Sequence, residues 1–236
     1  MPATASVARD ALESGLVTSV TVLDGGSRDA TATIAHDAGL DVVSVPDTMV
    51  HLGPVLGKGD SLFRGVQVVD ADWYVFLDAD IGNVHVGHVA ALVERARRGD
   101  VVFVKGGFVR VDEAGRPREV PGGRVTEEVA RPLLSTLAPV LTGLTQPLSG
   151  QVALRGDVAR RVRFVTGYGV EIAMLVDIWR QHGSGAMAEA DMGEVQNRWK
   201  PDDELDDVRD QVLAAASLCG LGAPGLSHPL VRERRA

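Results

Sequence analysis

The chain has 236 residues, 45% hydrophobic and 24% charged, with a net charge of −8. That is ordinary globular composition with length for a sizeable core, and its acidic balance argues against nucleic acid as the main partner, which needs a basic face. One cysteine, Cys219, precludes an intramolecular disulfide and points to a reducing, cytoplasmic setting, and neither a signal peptide in "MPATASVARDAL" nor a membrane-spanning apolar run is visible.

The first predicted element is a helix over 4–14, with Val7, Ala8, Ala11 and Leu12 on one side. "SVTVLDGGS" (19–27) reads as a buried strand ending in an Asp-Gly-Gly turn. A helix over 27–39 follows, capped by Ser27 or Asp29 and closed by Gly39. "DVVSV" (41–45) is the next strand, 46–59 a loop, and 60–69 a helix. "DWYVFLDAD" (72–80) is strand again, 85–99 helix, and 100–111 strand. Strands alternating with helices imply a parallel sheet covered on both faces, with any ligand at the carboxyl ends of the strands.

The second half is less regular. A helix over 123–139 is interrupted near Pro132, and 145–162 suggests a loop, a short strand and a helix. An apolar helix spans 168–183, a strand turning polar covers 186–200, and an amphipathic helix covers 205–220. The apolar helices at 168–180 and 205–219 are candidates for a homodimer surface. No repeat or linker divides the chain. It reads as one domain, 1–236, with a nucleotide-binding half to about 111, an acceptor half to 220 and a loose tail from 221.

Asp24, Asp78 and Asp80 all fall at predicted strand ends. Both carboxylates of Asp78-Ala79-Asp80 can reach one hard cation where the chain turns, and Mg²⁺ or Mn²⁺ would bridge them to diphosphate oxygens. A solvated turn would use the same residues. The other "DAD", Asp70–Asp72, precedes its strand and so lies at the wrong rim. Around Asp24 the Rossmann spacing is absent, and "GKGDS" fails the phosphate-loop pattern because Gly59 follows Lys58. Lys58 in a mobile Gly-rich loop could still cover a diphosphate. "GGRVTEE" (122–128) offers bare amides, Arg124 and Thr126 at a helix start, which can serve as an anion cradle or as a capping box with Glu128. No zinc spacing or nucleophile elbow appears.

The Asp-Gly-Gly-Ser turn, "GKG", the strand-end D-x-D, "GGRVTE", "ARPLL", "QPLSG" and "GYGVEI" occur in that order, spread over residues 4–220. In this the chain resembles the glucosyl-3-phosphoglycerate synthase family of retaining GT-A glycosyltransferases. The resemblance implies an α/β GT-A fold, a nucleotide-sugar donor (UDP-glucose, or GDP-glucose) and a divalent metal, Mg²⁺ or Mn²⁺. By it, Asp24 contacts the uracil or ribose, and Lys58 lies near base and diphosphate. Asp78 and Ala79 line the ribose and sugar, and Asp80 ligates the metal. Gly123, Arg124 and Thr126 bind the anionic group of the acceptor. Leu148 offers its backbone carbonyl at the reacting centre, and Tyr168 and Glu171 face glucose or acceptor.

Three departures stand out. The family's opening strand, of the form "PALNEE", has no counterpart ahead of "MPATASV". The base pocket is therefore built differently or completed by residues outside this sequence. The D-x-D centre is Ala79 where mycobacterial members carry serine. The family's metal-binding histidine falls at Asn197, a poorer ligand for Mn²⁺, and an acceptor-side asparagine falls at Trp199, a flat surface able to stack on a ring. The acceptor expected is thus 3-phosphoglycerate, with a nucleoside or other ring-bearing metabolite as the alternative. A binding protein without catalysis is a second alternative. A nucleotidyltransferase is disfavoured, since no basic Gly-rich N-terminal loop is present.

Overall fold

The computed structural model describes residues 2–197, 201–220 and 231–232. Trp199 and the tail at 221–230 and 233–236 lie outside the described residues. The elements run α1 (Pro2–Glu13), β1 (Thr21–Asp24), α2 (Thr31–Asp37), β2 (Asp41–Ser44), α3 (Gly57–Val68), β3 (Trp73–Phe76), α4 (Val86–Arg97) and β4 (Phe103–Val111). Then come a π-helical turn (Thr126–Ala130), α5 (Arg131–Leu137), β5 (Val152–Arg155), α6 (Gly156–Ala159), β6 (Phe164–Val165), α7 (Val170–His182), β7 (Met187–Gln196), α8 (Asp202–Leu218) and β8 (Val231–Arg232).

The sheet corrects the expectation of a wholly parallel layer. The central sheet is mixed, in the order β3-β5-β4-β7. β5 is antiparallel to both β3 and β4, while β4 and β7 are parallel with a register shift between Gly107 and Val109. β5 is the strand the sequence pattern could not place. It returns through the middle of the sheet rather than extending the edge. β1 and β2 pair in parallel as a separate two-stranded sheet. Among the described strands, β1 therefore keeps one edge open and so does β3. A slot lined by Val20, Val22, Leu62, Gly65, Tyr74 and Phe76 lies between them and runs into the main cleft.

Side chains alternate across each strand and build a core on either face. Phe103, Val152 and Leu154 pack with Phe63, Leu134, Ile172, Leu175 and Val212 on one side. Val104, Ala153 and Ala190 pack with Val89, Leu92, Val93 and Met192 on the other. A third, small cluster joins Ala5, Ala35 and Leu40 beneath β1 and β2. The apolar faces of α7 and α8 are spent here. Ile172, Leu175, Ile178, Val212 and Ala215 are buried within the chain, so these faces are not the free dimer surface anticipated. Among the described residues no helix is long and apolar enough to cross a membrane.

Candidate active site

The chain turns out of β3 after Phe76, and Asp78 follows beside the first turn of α3. Lys58 Nζ donates to Asp78 Oδ1 at 2.5 Å and pairs with Glu171 Oε1, near the start of α7, at 2.8 Å. Gln151 Nε2 donates to Asp78 Oδ2 at 2.9 Å. These side chains hold one another and remain within reach of the cleft; Asp78 is 29% exposed. Burial pushes the Asp78 carboxyl up, but the ammonium of Lys58 and its hydrogen bonds outweigh that, and the group titrates below the usual aspartate range. Burial pulls Lys58 down, but the two carboxylates raise it well above an ordinary lysine.

The glycines around Lys58 have a packing role. Gly57 and Gly59 belong to α3, not to the mobile loop expected from the sequence. A Cβ on Gly57 would sit 3.0 Å from the Gly167 Cα, and one on Gly59 would collide with the Val165 carbonyl. Two residues without side chains let α3 press against 165–167, and this close approach brings Lys58 to Glu171. A Cβ on Gly150 would collide with Lys58 Nζ and lie 2.7 Å from Asp78 Oδ2, so the glycine of "QPLSG" makes room for the ion pair. The preceding loop is pinned by Arg64, which is fully buried and donates to the carbonyls of Thr48 and Gly53 at 2.7 and 2.8 Å. Its charge is met by Asp60, also fully buried.

Asp24 is engaged by its own turn. Its Oδ1 accepts from the amides of Ser27 and Gly26 at 2.8 and 3.2 Å, and the Ser27 bonds lower its pKa. It is not among the residues lining the cleft, although Leu23 is. Leu148, Tyr168, Glu171, Ala79 and Asp80 do line it, and so do Gly123, Arg124, Thr126 and Asn197. The cleft, slot included, encloses ≈ 1690 Å³. The other "DAD" is surface as expected, with Asp70 97% exposed beside Arg160.

On the far wall, Gly123 has φ +83°, a conformation that favours glycine, and a Cβ there would lie 3.3 Å from the Arg110 guanidinium. Thr126 is buried in the π-helical turn. The capping-box alternative is not realised: no side-chain cap bond forms, and Glu128 instead pairs with Arg209 at 2.8 Å. Two arginines escaped the sequence reading. Arg110 and Arg118 both line the cleft. Arg110 donates to Gln146 Oε1 and to Asn197 Oδ1, each at 3.3 Å, and Arg118 to the Asn197 carbonyl at 3.3 Å. Burial, and then the charge of Arg118, lower the Arg110 pKa. Two guanidiniums near each other that donate to amide and carbonyl oxygens rather than to a carboxylate in these bonds suit an anion. The signal available was a charged residue within an apolar strand run, "GGFVRV".

Among the described residues, no three His, Cys, Asp or Glu side chains converge into a metal cage. Asp80 is exposed at the turn after β3. Asn197 presents its amide oxygen to Arg110. This donor set fits a hard cation that completes its shell with diphosphate oxygens and water, and does not fit a free-standing protein cage.

The glycosyl transferase family 2 model matches residues 3–150. A glucosyl-3-phosphoglycerate synthase of Mycolicibacterium paratuberculosis is 38% identical over 221 residues, covering 91% of this chain and 67% of that protein. The Mycobacterium tuberculosis glucosyl-3-phosphoglycerate synthase, solved with Mn²⁺, UDP-glucose and phosphoglyceric acid, superposes with a TM-score of 0.80 at 35% identity, over 94% of this chain and 78% of that one. Mannosyl-3-phosphoglycerate synthase of Rubrobacter xylanophilus superposes with a TM-score of 0.86 at 31% identity, over 96% and 74%. Sequence, sheet and cleft agree, and the chain belongs to glycosyl transferase family 2 and to the glucosyl-3-phosphoglycerate synthase family.

Proposed function

We propose that the protein is a metal-dependent, retaining glucosyltransferase that moves glucose from UDP-glucose to the hydroxyl of 3-phosphoglycerate. The observation that carries this reading is that one cleft holds both halves of the reaction. A carboxylate open to a cation stands at the exit of β3, and an anion cradle of Gly123, Arg124, Thr126, Arg110 and Arg118 faces it. A bound Mg²⁺ or Mn²⁺ would supply charge neutralisation for the departing diphosphate. Asp80 is its protein carboxylate in this reading, and Asn197 would add its amide oxygen by releasing Arg110.

The rest of the work falls to the chain's own groups. Lys58 is already matched to Asp78 and Glu171, so the trio carries one net negative charge and orients sugar hydroxyls. The Leu148 carbonyl and Tyr168 border the anomeric centre. The arginine wall holds the acceptor's carboxylate and phosphate, so that its hydroxyl enters on the face from which the diphosphate leaves. Asp24 would accept from the nucleoside through Oδ2, since its turn amides occupy Oδ1. We read the described chain as one domain working in the cytoplasm, and a homodimer would need a surface other than the covered faces of α7 and α8.

The test is incubation with UDP-glucose, Mn²⁺ or Mg²⁺ and 3-phosphoglycerate, reading the mass of the acceptor. A gain of one hexose is expected. Gain on a nucleoside but not on phosphoglycerate would reassign the acceptor. Tight UDP-glucose binding with no transfer to any acceptor in a panel would make this a binding protein. GDP-glucose and GDP-mannose in parallel decide the donor.

A further inference from the structure

Lys105 has no place in the chemistry above, yet it is one of the least expected residues in the molecule. It is the third residue of β4, 1% exposed, and its Nζ donates to the Ser149 carbonyl at 2.5 Å. An ammonium in such a place costs several kcal/mol unless something compensates it. Glu171, Asp78 and Glu189 act on it favourably and Lys58 unfavourably, but burial dominates and brings its pKa down to about 8. An apolar side chain of the same length would pack in this strand at less cost. The lysine therefore calls for a reason in the loop that it touches.

That loop is 145–151, and hydrogen bonds hold it at several points along its length. Thr145 N and Oγ1 donate to Glu189 at 2.6 and 2.5 Å. Gln146 Nε2 donates to the carbonyls of Phe108 and Pro121 at 3.0 and 2.8 Å. Ser149 N donates to the Gln146 carbonyl at 3.0 Å, and Gly106 N donates to the Gln151 carbonyl at 2.8 Å. In a trans peptide the N–H and C=O point opposite ways. The Ser149 amide thus orients the carbonyl of Leu148, and the Lys105 bond orients the next peptide plane, Ser149–Gly150. Ser149 Oγ then bonds Gln151 Oε1 at 2.7 Å, and Gln151 carries the order on to Asp78.

We propose that Lys105 is a positioning residue for glucosyl transfer: by holding the Ser149 carbonyl it fixes the Leu148–Gly150 peptide planes against the donor sugar. The catalytic half of this rests on the function proposed above; the anchoring half does not. A loop released by about an ångström at a reacting centre loses about 10²-fold in turnover. Binding of the nucleotide, which lies outside this loop, should change little.

Three variants separate the alternatives. Lys105→Met removes both charge and donor, Lys105→Gln keeps a donor, and Glu189→Ala frees the same loop from its other end in a more exposed place. Hydrogen exchange of the 142–151 peptide reads the anchor without any substrate. Steady-state kinetics reads kcat against the KM for UDP-glucose. In Lys105→Met, exchange at 142–151 should rise about tenfold or more with other segments unchanged, and kcat should fall about 10²-fold with donor KM within about threefold. Lys105→Gln should recover part of both. Unaltered exchange in folded Lys105→Met, or a Gln variant no better than Met, overturns the anchor. Faster exchange with wild-type kcat overturns the catalytic half. Should both Lys105 variants fail to fold, wild-type kcat in Glu189→Ala overturns it instead. If the wild-type protein transfers no sugar, the functional reading alone fails and exchange still decides the anchor.

Discussion

The four-stranded sheet and the β1–β2 pair are built to different standards. In the four-stranded sheet, β4 is buried over its first six residues and β5 over three of four. In the two-stranded sheet no residue of β1 or β2 is fully buried. The cluster beneath that pair contains three buried residues, all on helices or the turn before β2. The difference follows from topology. A central strand is covered on two faces and paired on two edges, whereas β1 has one partner and an open slot at its side. The chemistry sits where the packing is dense. Asp78, Gln151, Lys105 and the 145–151 loop hang on the thick sheet, while the thin one carries only Asp24 and its self-contained turn.

The largest effect should come from a residue that the packing ignores. Asp80→Ala should lower transfer by about 10³-fold or more, the several kcal/mol a bound cation contributes. Its melting temperature should match the wild type, because Asp80 is exposed. Full activity would remove the metal role assigned to it. Next comes Arg64→Ala, which leaves Asp60 charged and buried; about 3–5 kcal/mol of stability should be lost in denaturant titration. A loss under 1 kcal/mol would show that Asp60 is readily hydrated or neutralised.

A matched pair tests the contrast between sheets directly. Leu154→Ala empties a fully buried position in β5 and should cost about 2–5 kcal/mol. Val22→Ala removes two methyls from a half-buried position in β1 and should cost about 1 kcal/mol or less. Equal costs would mean the two sheets are equally supported. The smallest effect is acid sensitivity measured without metal or nucleotide. Asp78 has a lower pKa folded than unfolded, so its contribution is full above about pH 4, the unfolded range, and fades as pH falls through the folded value. Asp78→Asn should flatten that limb of the stability curve; an unchanged limb would assign it to other carboxylates.

Much of this was legible in the sequence, for identifiable reasons. Near-continuous apolar runs located β1 to β4, and the strand-exit rule placed Asp78 and Asp80 on one rim. What escaped depended on long-range partners. β5 is only four residues long, and nothing in "VALR" reveals that it pairs between β3 and β4. Lys58 looked mobile because glycines suggest flexibility; here they permit a close approach whose other half, 165–167, is more than a hundred residues away. Lys105 and Arg110 were visible as charges inside an apolar strand, but burial alone gives them meaning. Asp24 had a local partner that the strand-end rule does not foresee: the amides of Gly26 and Ser27 both donate to its Oδ1.

The π-helical turn at Thr126–Ala130 gives the acceptor wall a geometric property of its own. Beyond it, Arg131 is tied to the carbonyls of Thr142, Leu144 and Thr145, and Leu134 is fixed in the core. Before it and at its first residue, Gly123 and Thr126 line the cleft. Each α-helical residue advances the winding by about 100°, so one surplus residue acts as a phase shifter between two surfaces that a straight helix could not satisfy together. Any sequence transplanted into this segment has to keep its length as faithfully as its side chains.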